Sequence, residues 1–126
     1  MFSFSITSIL SRKPEIDNFR LFYNAEIGET FQLNCGLLKG TKPITFEWFK
    51  NDVKLESTDS ELQIEFKPFS SNILFESIHQ EYSGNYSCKA SNSDGYDLRS
   101  TILQVKGLLN DLNFIIFDRY VALEML

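Results

Sequence analysis

The segment that decides the fold is residues 83–92, which reads Ser-Gly-Asn-Tyr-Ser-Cys-Lys-Ala-Ser-Asn. Within it Tyr86 and Cys88 alternate with polar residues, so a strand formed here turns one apolar face toward a core. Cys35 lies on the apolar face of an earlier alternating segment, and Trp48 lies on the apolar face of the next one. We therefore expect these two aromatic and two sulfur-containing side chains to face one interior.

Short alternating segments recur throughout residues 14–106. Their apolar positions are Phe31, Leu33 and Cys35, then Ile44, Phe46 and Trp48, then Leu62, Ile64 and Phe66, then Ile73 and Phe75, and finally Leu103 and Val105. Turn residues separate the segments, and Asp94-Gly95 is the strongest hairpin signal because glycine accepts a positive φ without a steric penalty. Many short strands with turns between them predict an all-β sandwich or barrel.

The composition narrows the classes of function. The 126 residues are 43% hydrophobic and 23% charged, which suits a globular domain, and no apolar run approaches the roughly 20 residues that a membrane span needs. A net charge of −5 disfavours binding to a nucleic-acid backbone. Because there are only two Cys and one His, we expect no metal site, no cofactor and no enzymatic activity.

The order of these residues resembles the immunoglobulin superfamily, specifically its intermediate (I-set) type. The likeness spans residues 14–106 and includes Cys35, Trp48 and the Gly84-x-Tyr86-x-Cys88 run. It implies an immunoglobulin-like β-sandwich of two antiparallel sheets joined by a Cys35–Cys88 disulfide. The indole would pack on that bridge, and the Tyr86 hydroxyl would bond to upstream backbone. The alternative is a pair of buried free thiols.

A closer likeness is to the Ig repeats of the arthropod Down syndrome cell adhesion molecule (Dscam) family. Residues 38–52, residues 83–92 and the segment from Pro14 to Phe19 carry it. It implies a non-catalytic, extracellular module of a neuronal-type adhesion receptor with several Ig repeats, whose partner is a protein: another copy of itself or a different surface protein. Two alternatives stay open: a reduced, structural repeat of a giant intracellular muscle protein, and a soluble immune-type binder of microbial surfaces.

Two residues are candidates for roles at the surface. Asn85 begins an Asn-Tyr-Ser sequon and should point outward because Tyr86 points inward, so it could accept an N-linked glycan in a secreted protein. The alternative is an unused sequon. Phe49 follows the inward Trp48 and should lie on the outer face of the same sheet, where an aromatic ring can anchor a protein partner. The alternative for Phe49 is packing against neighbours within the sheet.

Other conspicuous residues carry no signal for chemistry. His79 is expected in a solvated loop, because neither an orienting group nor an oxyanion site accompanies it. Tyr82 occupies a position where the family usually has an aspartate that pairs with a basic residue, so that ion pair is not expected here. Phe66 and Phe69, which flank Pro68, are expected to fill the core and the sheet edge.

Acidic residues in the middle of the chain do not match a calcium loop. The residues concerned are Glu56, Asp59, Glu61 and Glu65. They lack the spacing of an EF-hand and the glycine at its sixth position. We expect them to form a solvated acidic face.

The two ends of the chain differ from residues 14–106 in composition and in the spacing of their apolar residues. Residues 1–13 are apolar and serine-rich, and their basic pair follows the apolar run instead of preceding it, which is atypical of a secretion signal. Residues 107–126 carry leucine and isoleucine at roughly helical spacing. We interpret 1–13 as a leader of unclear status, 14–106 as the domain and 107–126 as a tail. The tail is translated non-coding sequence, a short docked helix or a natural alternative end.

Overall fold

The computed structural model describes residues 11–56 and 62–107. Most of the leader, the acidic residues Asp59 and Glu61, and nearly all of the tail lie outside these ranges. The predictions made for those segments therefore stay predictions.

The described residues form nine strands and one short 3-10 turn. The strands are β1 (Glu15–Ile16), β2 (Phe22–Glu26), β3 (Phe31–Lys39), β4 (Thr45–Lys50), β5 (Val53–Lys54), β6 (Leu62–Lys67), β7 (Ser70–Phe75), β8 (Gly84–Asn92) and β9 (Gly95–Lys106), and the 3-10 turn is Gln80–Tyr82. One sheet has the order β1-β3-β7-β6 and the other the order β2-β9-β8-β4-β5. The predicted all-β sandwich is confirmed.

One pair of strands departs from the antiparallel pattern expected from the sequence. β2 runs parallel to β9, with Phe22 opposite Ile102 and Glu26 opposite Lys106. The cause is that the N-terminal chain pairs first with β3 through β1 and then changes sheets before β2 begins. It therefore reaches the second sheet already running in the direction of β9.

The two sheets are joined at the centre of the core by two neighbouring links. Cys35 in β3 and Cys88 in β8 form the predicted disulfide. Beside it the Trp48 indole N–H donates a 2.8 Å hydrogen bond to the Ser71 hydroxyl, which itself donates to the Glu65 carbonyl. The strand register sets these links side by side, because Trp48 lies opposite Cys88 and Ser71 lies opposite Cys35. A buried polar group that is fully bonded in this way avoids the cost of desolvation.

Tyr86 and Tyr82 pack in the core near the start of β8. The Tyr86 side chain is fully buried, and its hydroxyl donates a 2.6 Å hydrogen bond to the Tyr82 carbonyl. Burial raises the pKa of the Tyr86 hydroxyl well above its ordinary value, and neighbouring Tyr82 adds to the effect. The Tyr82 ring is itself buried edge-on against Phe75, with the ring centroids 5.3 Å apart. An apolar contact thus occurs at the position where the family that the sequence resembles usually has an ion pair.

The expectation that Phe66 and Phe69 fill the core and sheet edge is wrong. Phe66 is 57% exposed and Phe69 is 47% exposed. Phe66 lies in β6, which is an edge strand, and alternation alone does not show whether a second layer covers a residue there. Phe69 lies in the turn between β6 and β7 with the Lys42 ammonium 5.3 Å from its ring centroid.

Asp97 in β9 holds the N-terminal chain in place. Its carboxylate accepts a 2.8 Å hydrogen bond from the Ile16 amide and lies 3.4 Å from the Arg99 guanidinium. Desolvation acts to raise the pKa of Asp97, but the Ile16 and Leu98 amides and the Arg99 charge outweigh it and lower that pKa below its ordinary value.

Thr101→Val should stabilise the domain. The Thr101 hydroxyl is buried and has no hydrogen-bond partner among the described residues, so it loses hydration without compensation. Valine has the same shape without the hydroxyl, and the expected gain in the free energy of unfolding is about 1 kcal/mol. Urea unfolding followed by tryptophan fluorescence measures it. Thr101→Ser is the matched control and should be less stable than wild type, because it keeps the hydroxyl and loses the methyl group. A Thr101→Val variant less stable than wild type would contradict the prediction.

Asp97→Asn should lower stability more at neutral pH than in acid. A carboxylate whose pKa is lowered by folding contributes stability above its unfolded pKa, near 3.8, and loses it as the pH falls through the folded value. Because the Asp97 side chain is 20% exposed and its partner Arg99 is 41% exposed, the expected loss at pH ~7 is at most about 1 kcal/mol. The difference between wild type and variant should shrink at pH ~3, since the contribution is lost as the pH falls from the unfolded toward the folded pKa of Asp97. Urea unfolding at both pH values tests this, and an equal difference at both would refute the carboxylate's role.

Candidate functional site

The outer face of the five-stranded sheet is the candidate site. Side chains on this face point away from the disulfide, and the strand pairing arranges them in rows. Phe49 of β4 shares a row with Ser87 of β8 and Ser100 of β9. In the next row Glu47 lies opposite Lys89, and Lys89 lies opposite Leu98.

Strand β9 contributes most of the exposed apolar surface on this face. Tyr96 is 57% exposed, Leu98 48% and Ile102 50%. Phe22 of β2 lies directly opposite Ile102 and extends the surface toward the sheet edge. An exposed apolar strip on a sheet face marks a site for another molecule more often than isolated surface residues do.

The sequence reasoning identified Phe49 but missed the β9 residues. The signal was present in the alternation. Because Leu103 and Val105 face the core, period two assigns Ile102, Leu98 and Tyr96 to the outer face, while polar Asp97 and Arg99 fall on the inner one. Apolar residues in the outward register were the clue to a surface role.

Phe49 lies at one side of a shallow depression of about 260 Å³ on this face. The residues that line it are Phe49, Asp52, Ser87, Lys89, Tyr96 and Leu98. The Lys89 ammonium lies 4.7 Å from the centroid of the Tyr96 ring, so the aromatic face and the cation form one surface. The Phe49 side chain is half-buried, so it packs against neighbours within the sheet. Because it also lines the depression, part of its ring is open to a partner.

Charges of both signs surround the depression. Lys54 and Glu47 form an ion pair at 3.4 Å, and Asp52 and Lys89 lie on opposite sides of the depression. Such exposed pairs add little affinity, but they select partners with a matching pattern. The site thus has an apolar centre and a mixed-charge rim, which is the usual composition of a protein–protein interface.

Asn85 lies near the start of β8, on the same face. Its side chain is exposed and its residue lies opposite Ile102. The backbone is fixed by two hydrogen bonds with Asn51, one from the Asn51 amide to the Asn85 carbonyl and one from the Asn85 amide to the Asn51 side chain. The position is therefore rigid and open to solvent.

The described residues show no arrangement suited to a metal ion: none of them form a group of three or more His, Cys, Asp or Glu side chains around one point. The His79 ring lies edge-on to Tyr82, with their centroids 5.6 Å apart. Within residues 11–56 and 62–107, no helix has the length and apolar character that a membrane crossing requires.

The comparison with known families agrees with this architecture. The family model described as immunoglobulin domain matches residues 13–92. The chain belongs to the immunoglobulin domain family. Membership of the superfamily, predicted above from the order of Cys35, Trp48, Tyr86 and Cys88, is confirmed.

The relatives of this immunoglobulin domain are receptor and adhesion proteins. Human Fc receptor-like protein 5 is 34% identical over 68% of this chain, and mouse cell adhesion molecule DSCAML1 is 35% identical over 64%. Mouse junctional adhesion molecule C is 28% identical over 83% of this chain. The chain spans only 8%, 4% and 38% of the lengths of these three proteins, respectively.

Solved immunoglobulin domains share the fold. A crystal structure of the Dscam1 Ig7 domain, isoform 5, superposes with a TM-score of 0.68 and 24% identity, covering 75% of this chain and 97% of that one. A titin M4 domain gives a TM-score of 0.68 at 18% identity, covering 77% of this chain and 99% of that one. At these identities the likeness shows the fold alone.

Proposed function

We propose that the chain is an extracellular recognition module of a cell-adhesion receptor, non-catalytic, and that it binds a second copy of itself through the outer face of the five-stranded sheet. The observation that carries the proposal is the exposed strip of Tyr96, Leu98 and Ile102 beside the Phe49 depression. An exposed apolar strip lowers the solubility of a domain, so its presence is explained by a partner that covers it.

A second copy suits this face because its charges are self-complementary. The row that holds Glu47 and Lys89 presents both signs side by side, so two copies related by a two-fold axis can set each charge against its opposite. The apolar strip then meets its own counterpart at the centre. The names of two relatives, cell adhesion molecule DSCAML1 and junctional adhesion molecule C, support an adhesive role.

The covalent bond between Cys35 and Cys88 supports the extracellular location. Disulfides of this kind persist in oxidising compartments and are rare in the cytosol. This favours the receptor module over the alternative of a reduced intracellular repeat. The change of sheets between β1 and β2 is also in keeping with an intermediate-type domain.

Asn85 is proposed to carry an N-linked glycan that limits the area open to a partner. Asn85 borders Ile102, whereas Ser87 at the near side of the depression lies about 7 Å further along β8, and Lys89 about 13 Å further, at ~3.3 Å per residue. A glycan would therefore cover the Ile102 end most strongly and leave the Lys89 and Leu98 side of the depression accessible.

Leu98→Asp should abolish self-recognition. Beads coated with the full chain should aggregate in ~0.15 M salt, and a charge at the centre of the strip should weaken the contact by roughly 30-fold, as expected of a hot-spot residue. Asn34→Asp adds the same charge to an exposed position on the other sheet and is the matched control. Aggregation of the Leu98→Asp beads at the wild-type level would rule out the proposed face.

The glycan is tested separately by secretion from eukaryotic cells. The wild-type chain should carry one N-glycan, seen as a mass shift that glycosidase treatment removes, and Asn85→Gln should lack it. A secreted wild-type chain without the shift would mean that the sequon is unused and that the Ile102 end of the face stays open.

A further inference from the structure

Cationic side chains gather at the end of the sandwich where the chain enters. They are Arg12, Lys13, Lys39, Lys42 and Lys67, and we call this end the basic pole. Hydrogen bonds hold the entering chain against the loop after β3: the Thr41 amide donates to the Arg12 carbonyl, and the Asn92 side chain donates to the carbonyls of Arg12 and Thr41. The carboxylates of Glu15 and Asp94 accompany these five cations, and Asp97, which accepts from the Ile16 amide and pairs with Arg99, lies just inside them.

The basic pole also has shape and apolar surface. Arg12, Lys13 and Lys39 line a depression of about 310 Å³ together with Pro14 and Glu15. Next to it, the exposed Leu38, Phe66 and Phe69 side chains supply apolar surface at the ends of β3 and β6. A surface that combines cations with exposed rings suits an acidic partner.

The opposite end of the sandwich is acidic. Glu26, Glu29, Asp52, Glu76 and Glu81 lie in its turns, and we call this end the acidic pole. Backbone hydrogen bonds bring those turns together, since the Gly28 amide donates to the Ile78 carbonyl and the Ile78 amide donates to the Glu29 carbonyl. Two cations, Lys50 and Lys106, stand among the five carboxylates, so negative charge predominates.

The two poles act as separate charges. β9 runs from one to the other, and its 12 residues span roughly 36 Å at ~3.3 Å per residue. That distance is several times the Debye length of about 8 Å at physiological salt, so the opposite charges do not cancel outside the molecule. The net charge of −5 for the whole chain conceals this polarity.

We propose that the basic pole is a docking surface for the acidic pole of a second copy, so that the domains associate head to tail. The poles carry opposite charge, and each presents exposed apolar side chains, Phe69 at the basic pole and Ile27 at the acidic one. Because the contact joins two different surfaces, it leaves a free pole at each end and propagates into a row of domains. This contact is separate from the outer face proposed above and does not depend on it.

Sedimentation equilibrium of the full chain tests the proposal. Wild type should self-associate in ~0.02 M salt, and the association constant should fall about tenfold or more in ~0.5 M salt because the contact is electrostatic. In a Leu98→Asp background, which removes the outer-face contact, K39E/K42E at the basic pole and E76K/E81K at the acidic pole should each lose self-association, and an equimolar mixture of the two should regain it. Near-ultraviolet circular dichroism of Trp48 verifies that each variant is folded.

N18D/R20E/N34D is the matched control for K39E/K42E, since it makes the same change in net charge at exposed positions that belong to neither pole nor to the outer face, and it should associate like its parent. Leu98→Asp should also keep the salt-dependent association, which separates this contact from the outer face. In the Leu98→Asp background, absence of self-association, association insensitive to salt, or a mixture of the two pole variants that stays monomeric would each overturn the proposal.

Discussion

The pairing of a disulfide with a tryptophan hydrogen bond at the centre of the core is the constraint on which the structure depends. Both connect the same two sheets, and the strand register puts them next to each other. The covalent link limits the separation of β3 and β8, while the indole bond to Ser71 requires β4 and β7 to keep one relative position. A one-residue slip of β4 against β8, or of β7 against β3, would turn Trp48 or Ser71 to the outer face and break the hydrogen bond between the sheets. The positions of the side chains on the outer face and at the two poles follow from this arrangement.

The sequence predicted the interior much better than the surface. Cys35, Trp48, Tyr86 and Cys88 could be placed because alternation of period two and family likeness both act on buried positions, where packing leaves few choices. Phe66 and Phe69 were assigned wrongly, because alternation tells which side of a strand a residue occupies but not whether a second layer covers it. Ser71 could not be identified as the partner of Trp48, because that contact depends on how two distant strands face each other.

The same difference explains the candidate site. Phe49 was inferred from its place after an inward tryptophan, whereas Leu98 and Ile102 were missed although the alternation around Leu103 and Val105 already assigned them to the outer face. The pairing of β9 with β8 then shows that Leu98 lies beside Lys89. The two poles could not be predicted from the sequence, for another reason. Their charged residues come from separate turns and strand ends, and only the folded chain shows which of them share an end of the sandwich. Composition reports the sum of charges, and function depends on their distribution.

The parallel pairing of β2 with β9 has a mechanical consequence. β2 runs in the same direction as β9, from Phe22 opposite Ile102 to Glu26 opposite Lys106, so tension applied to the chain before β2 and after β9 pulls these strands past each other along their length. Their hydrogen bonds then share the load together instead of opening one after another. A module with this geometry resists stretching along the chain, a property that suits any protein held between two anchored points.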